Sequence, residues 1–110
     1  NIYTKNMSRN EAKKIVQCYA RKLKQNHFPF ERVYLFGSWA KGMNREGSDI
    51  DVAVVFDQAD KDLDKYRFLL WNLRMSVDMR IEPHGFLAKD FYQGADPVAY
   101  EIKKTGVRVA

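Results

Sequence analysis

At 110 residues the chain has the length of one domain, enough for a single core and too short for a separate substrate domain. Its formal charge of +5 gathers in Lys13, Lys14, Arg21, Lys22 and Lys24 near the start and Lys103, Lys104 and Arg108 near the end; such a surface can attract nucleotides, nucleic acid or an acidic partner, but the first cluster reads as a solvated helix face, and nucleic-acid binding is not inferred from charge alone. A lone Cys18 excludes an internal disulfide, no Cys/His spacing suits zinc, and no stretch resembles a signal peptide or is long enough to cross a bilayer, so a soluble chain of the reducing cytoplasm is expected.

Ser8-Arg9-Asn10-Glu11 matches a capping box, and Ala12, Ile15, Val16, Tyr19, Ala20 and Leu23 follow at helical spacing. These predict a helix from Ser8 to Gln25, with Cys18 beside its apolar stripe as a half-buried small hydrophobe. Pro29 breaks the pattern, and Arg32 to Phe36 reads as a strand that enters the turn Gly37-Ser38. A short helix from Ser38 to Lys41 follows, then a polar loop from Met43 to Gly47 and a buried strand from Ile50 to Phe56. From Asp60 to Leu73 the apolar residues return to helical spacing, with Asp57 or Asp60 as candidate cap. Ser76 to Glu82 alternates, Val77, Met79 and Ile81 on one face and Asp78, Arg80 and Glu82 on the other, which predicts a half-buried strand ended by Pro83. Phe86 to Phe91 reads as a short turn or helix. Asp96-Pro97 opens a last helix to about Lys104, Gly106 stops it, and Val107 to Ala110 can add an edge strand.

The chemistry concentrates between Gly37 and Asp51. Asp49 and Asp51 alternate onto one side of their strand, where two carboxylates can share divalent cations. The free N–H groups of the Gly37-Ser38 turn favour an anion, and Gly37 reads as a plain turn or as close backbone approach to phosphate. Nucleotidyl transfer needs both features, because charge builds on the attacking and leaving oxygens and two divalent cations can stabilise them together. Asp78 is the candidate third acid and acceptor of the nucleophile's proton, and Glu82 on the same face is the runner-up. Ser38 reads as a helix cap or a hydroxyl donor to phosphate, and Lys41 as a phosphate contact or an exposed lysine. Ser48 reads as a turn residue or a nucleotide contact, Gly42 as a turn residue, Trp39 as packing, and Arg80 as a neutraliser of acids or a phosphate ligand. His27 and His84, isolated in sequence, read as structural or exposed. Gly37 and Gly42 have P-loop spacing, but Met43-Asn44 stands where Lys-Ser/Thr is required, which excludes that motif.

The ungapped pattern Gly37-Ser38, Gly42, Ser48-Asp49-Ile50-Asp51, with Val77 to Pro83 downstream, resembles the minimal nucleotidyltransferases of the DNA polymerase beta superfamily. The resemblance covers most of Val33 to Val107. It implies an α/β (α+β) fold with a small mixed sheet backed by helices, a two-metal Mg2+ site and ATP as donor. Many stand-alone domains of this kind are antitoxins that silence HEPN-type ribonuclease toxins by transferring AMP to them, which implies a toxin partner in a hetero-oligomer. Neutralisation of the partner by contact alone, or transfer to a small molecule or an RNA end, are the competing readings.

Overall fold

The computed structural model describes residues 7–57 and 62–110. Helix α1 (Arg9–Gln25) is started by the expected capping box: the Ser8 hydroxyl accepts from the Glu11 N–H at 3.1 Å while the Glu11 side chain reaches back to Ser8. It ends at His27, which takes φ of +58°, and the Phe28 N–H then donates to the Leu23 carbonyl at 2.9 Å. That closure turns the chain into β1 (Phe30–Phe36), two residues longer at its start than the apolar pattern indicates. After it come α2 (Ser38–Lys41) and β2 (Ile50–Phe56), both at their expected bounds. The rest is α3 (Leu63–Arg74), β3 (Ile81–Leu87), α4 (Ala88–Gln93), α5 (Pro97–Thr105) and the two-residue β4 (Val107–Arg108).

The four strands form one mixed sheet in the order β3-β2-β1-β4. Strand β1 runs antiparallel to β2 and β4, whereas β2 and β3 are parallel and joined through α3, the crossover that parallel neighbours require. Helices α1 and α3 cover one face, over Val33, Leu35, Ile50, Val52, Val54, Phe56 and Ile81. Phe91 of α4 and Ala99 and Ile102 of α5 cover part of the other, over Tyr34, Phe36, Ala53 and Val55. Strand β2 is therefore buried on both sides, which is why its sequence is a continuous apolar run after Asp51. The Tyr19 hydroxyl donates to the Leu70 carbonyl at 2.7 Å and ties α1 to α3; burial raises its pKa.

The third strand lies further along the chain than its alternation indicates. Residues 75–80 form a turn: the N–H groups of Val77 and Asp78 both donate to the Arg74 carbonyl, at 3.0 and 2.9 Å, and the Asp78 carboxylate accepts from the Arg80 N–H at 2.9 Å. Such local bonds replace a strand ladder. Pro83 does not end the strand but lies within it. Because β3 is the sheet's edge, it can accommodate a proline at a position whose N–H would not enter the ladder with β2. Gly85 is also internal, since any Cβ there would come within 3.1 Å of Leu70 and Phe56. The cap of α3 is Asp62, which accepts from the Lys65 N–H at 3.0 Å; it replaces Asp57, and Asp60 lies outside the described residues. Cys18 is exposed rather than half-buried, with an Arg21 guanidinium N–H donating to its sulfur at 3.0 Å. Among the described residues no helix is long and apolar enough to cross a membrane.

Candidate active site

Sheet register assembles the site. Phe36 pairs with Asp51 across β1 and β2, and Asp51 pairs with Glu82 across β2 and β3. Asp51 therefore stands between the Gly37 turn and Glu82, at the end of the sheet face that α4 and α5 leave uncovered. Gly37 adopts φ +74° and ψ −148°, a region open almost only to glycine, and a Cβ built there would lie 2.3 Å from Asp51 Oδ2. The turn and the carboxylate thus fit only without a side chain. Gly37→Ala is expected to lower stability by about 1–3 kcal/mol through strain alone and to displace Asp51, which urea unfolding combined with a metal titration would register.

His84 joins these acids. Its Nε2 lies 3.5 Å from Asp51 Oδ1 and 3.8 Å from Glu82 Oε1, and its ring meets Phe36 edge-on at 5.1 Å between centroids. The Nε2 atom is buried and has no hydrogen-bond partner among the described residues. Asp51, Glu82 and His84 each offer a ligand atom, all within 4.8 Å of one another. Asp49, the residue just before β2, is exposed and outside that group of three. It shares with Glu82 the wall of a hollow of about 220 Å³, together with Trp71, Arg74, Met79 and Arg80.

The nearby cations are engaged elsewhere. Arg80 grips Asp78, Nε to Oδ1 at 3.0 Å and Nη2 to Oδ2 at 2.7 Å. Arg74 stacks over Trp71 at 4.6 Å and donates to the carbonyls of Met79 and Ile81. Lys41 forms an ion pair with Glu101 of α5. Among the described residues no Lys or Arg forms a salt bridge with Asp49, Asp51 or Glu82. Carboxylates converging without a counter-charge suit a divalent cation, and the unpartnered imidazole nitrogen beside them fits the same occupant.

Of the residues expected to act together, Asp51 and Gly37 meet at one end of the sheet, and Asp49 lines the hollow beside Glu82; Asp78 lies in the turn before β3 rather than on a strand. Its side-chain hydrogen bond to Arg80 holds the Asp78 carboxyl below the usual range. That pair stabilises the turn fully above the ordinary value of 3.8, and its contribution fades as pH falls towards the lowered one. Asp78→Asn should therefore cost about 1 kcal/mol in urea unfolding near neutral pH, and less at about pH 3. Ser38 is the first residue of α2 rather than its cap, the cap position being Gly37. The Ser48 hydroxyl accepts from the Arg45 N–H at 2.8 Å, and its carbonyl accepts from the Trp39 indole at 3.4 Å, so Ser48 braces the loop leading to Asp49. Trp39 is buried, as expected of packing. His84 is not legible in the sequence as a site residue because Pro83 reads as the end of the strand; alternation continued past Glu82 puts it on the acids' face.

Residues 19–110 match the family model described as "Polymerase beta, Nucleotidyltransferase". Among solved structures, a chain of a toxin-antitoxin crystallised with AMP-PNP is similar over 86% of this chain and 72% of its own, at 23% identity and a TM-score of 0.61. A Sulfolobus solfataricus protein provisionally described as a nucleotidyltransferase is similar over 78% and 79%, at 21% identity and a TM-score of 0.58. A mutant of the toxin-antitoxin MntA-HpeT is similar over 83% and 68%, at 22% identity and a TM-score of 0.58. At these identities the likeness establishes the fold. Comparison with curated proteins gives no match. Because the family match runs from the middle of α1 through β4, taking in the whole sheet and all four acids discussed above, this chain belongs to the polymerase beta family of nucleotidyltransferases.

Proposed function

We propose that the chain is a metal-dependent protein adenylyltransferase that acts as an antitoxin, transferring AMP from ATP to a HEPN-type toxin partner in the cytoplasm. The observation that carries this reading is the convergence of Asp51 and Glu82, with His84 beside them and no Lys or Arg partner among the described residues, against a turn that tolerates only glycine. The toxin-antitoxin context of two similar structures, one holding AMP-PNP, supports the choice of partner and donor.

In this reading Asp49, Asp51 and Glu82 hold divalent metal, with Mg2+ as the first candidate. Bound there, the metal stabilises charge on the attacking and leaving oxygens at the α-phosphorus. Glu82 replaces Asp78 as third acid, because it is paired with Asp51 while Asp78 is held by Arg80. Glu82 also takes the proton of the acceptor hydroxyl. Gly37 lets the triphosphate approach the backbone, and the Ser38 hydroxyl donates to a phosphate oxygen. Lys41 and Ser48 take supporting roles: Lys41 reaches phosphate only on leaving Glu101, and Ser48 fixes the loop before Asp49.

The test is protection of cells expressing the cognate HEPN-type toxin. Wild type should restore growth, and Asp49→Asn with Asp51→Asn should not. Undiminished protection by that double variant would favour neutralisation by contact.

A further inference from the structure

We propose that His84 is a nitrogen ligand in the metal site and makes the site prefer a first-row transition ion to Mg2+. This rests on the metal-dependent reading above and specifies which ion the site is built for.

An unmade hydrogen bond on a buried polar atom costs about 1–3 kcal/mol, so the orphaned Nε2 calls for an occupant. At 3.5 and 3.8 Å from the two carboxylates it is too far away to be a hydrogen-bond donor to either. The same separations suit two ligands of one ion. With bonds of about 2.1 Å, ligand atoms lie about 3 Å apart at a right angle and about 4.2 Å apart when opposite. The ring is also held in place. Phe36 packs against it edge-on, and the strand partner of His84 is Ala53, whose small side chain leaves that face of the sheet open to an imidazole.

Donor chemistry then decides the ion. Magnesium takes oxygen ligands and keeps several waters, and gains little from an imidazole. Transition ions accept carboxylate and imidazole together, so one nitrogen beside Asp51 and Glu82 shifts the preference towards them. Glu82 and His84 alternate on β3 and face Asp51 by register, so the fold delivers both ligand types without a loop.

The experiment uses the untagged full chain with Mn2+ alone, observed by electron spin-echo envelope modulation. The expected spectrum shows nitrogen-14 modulation from a directly bound imidazole, absent in His84→Gln. The ratio of Mn2+ to Mg2+ affinity should be at least about 10-fold higher in wild type than in His84→Gln. Bound Mn2+ without nitrogen coupling in wild type, coupling that survives in His84→Gln, or an unchanged affinity ratio overturns the proposal. The wild-type spectrum decides even where the variant folds poorly. A silent spectrum alongside intact metal-dependent nucleotidyl transfer defeats only the role of His84, whereas absence of any bound metal and of transfer defeats the underlying reading as well.

Discussion

Asp51→Asn is expected to lower nucleotidyl transfer by about 10³-fold while leaving the fold intact. The argument is positional: Asp51 is paired with Glu82 on one side and contacts the Gly37 turn on the other, so it touches both the acid cluster and the glycine turn. If Asp51 holds metal as proposed, its loss removes several kcal/mol of charge stabilisation at the transferring phosphorus, and each 1.4 kcal/mol is about tenfold in rate. Stability should move the other way or not at all, because the variant carries one less negative charge in a cluster that, among the described residues, no Lys or Arg neutralises. Thermal melts with and without divalent ion would show this: the ion raises the wild-type Tm by binding only the folded chain, and the variant loses most of that rise.

Glu82→Gln and Asp78→Asn should separate cleanly. The first keeps the shape of the side chain on β3 and removes its charge and basicity, with an expected loss of about 10²-fold or more in transfer. The second cuts the grip of Arg80 on the turn before β3, lowering stability by about 1 kcal/mol and leaving transfer within about threefold of wild type. Single-turnover transfer rates beside urea unfolding of both variants are the measurement. The reverse pattern would return the role of third acid to Asp78.

Much of this arrangement is legible in the sequence where local and global preferences agree. The capping box at Ser8, the apolar run from Ile50 to Phe56 and the Asp96-Pro97 start of α5 each use their own residues for a local bond or a buried face, and each is found at or within a residue of its expected bounds. The acids Asp49 and Asp51 are legible because they open a strand. Strand β3 is not, and the reason is tertiary. Pro83 and Gly85 read as breakers in isolation, yet an edge position tolerates the first, and the second fits the close packing of Leu70 and Phe56. Val77 to Arg80 meanwhile alternate like a strand, but the Asp78 carboxylate bonds the chain into a turn. That shift of five residues puts Glu82 and His84 beside Asp51 and leaves Asp78 in the turn, which in the proposed reading moves the third-acid role from Asp78 to Glu82. Alternation identifies a face only once pairing has fixed where the strand begins.

The most direct measurement is the mass of the HEPN-type partner after incubation with this chain, ATP and a divalent ion, with pyrophosphate release followed in parallel. Nucleotidyl transfer predicts that the partner gains the mass of one or more AMP units, with one pyrophosphate released for each. A gain of phosphate mass, or a neutralised partner of unchanged mass with no pyrophosphate released, would contradict it.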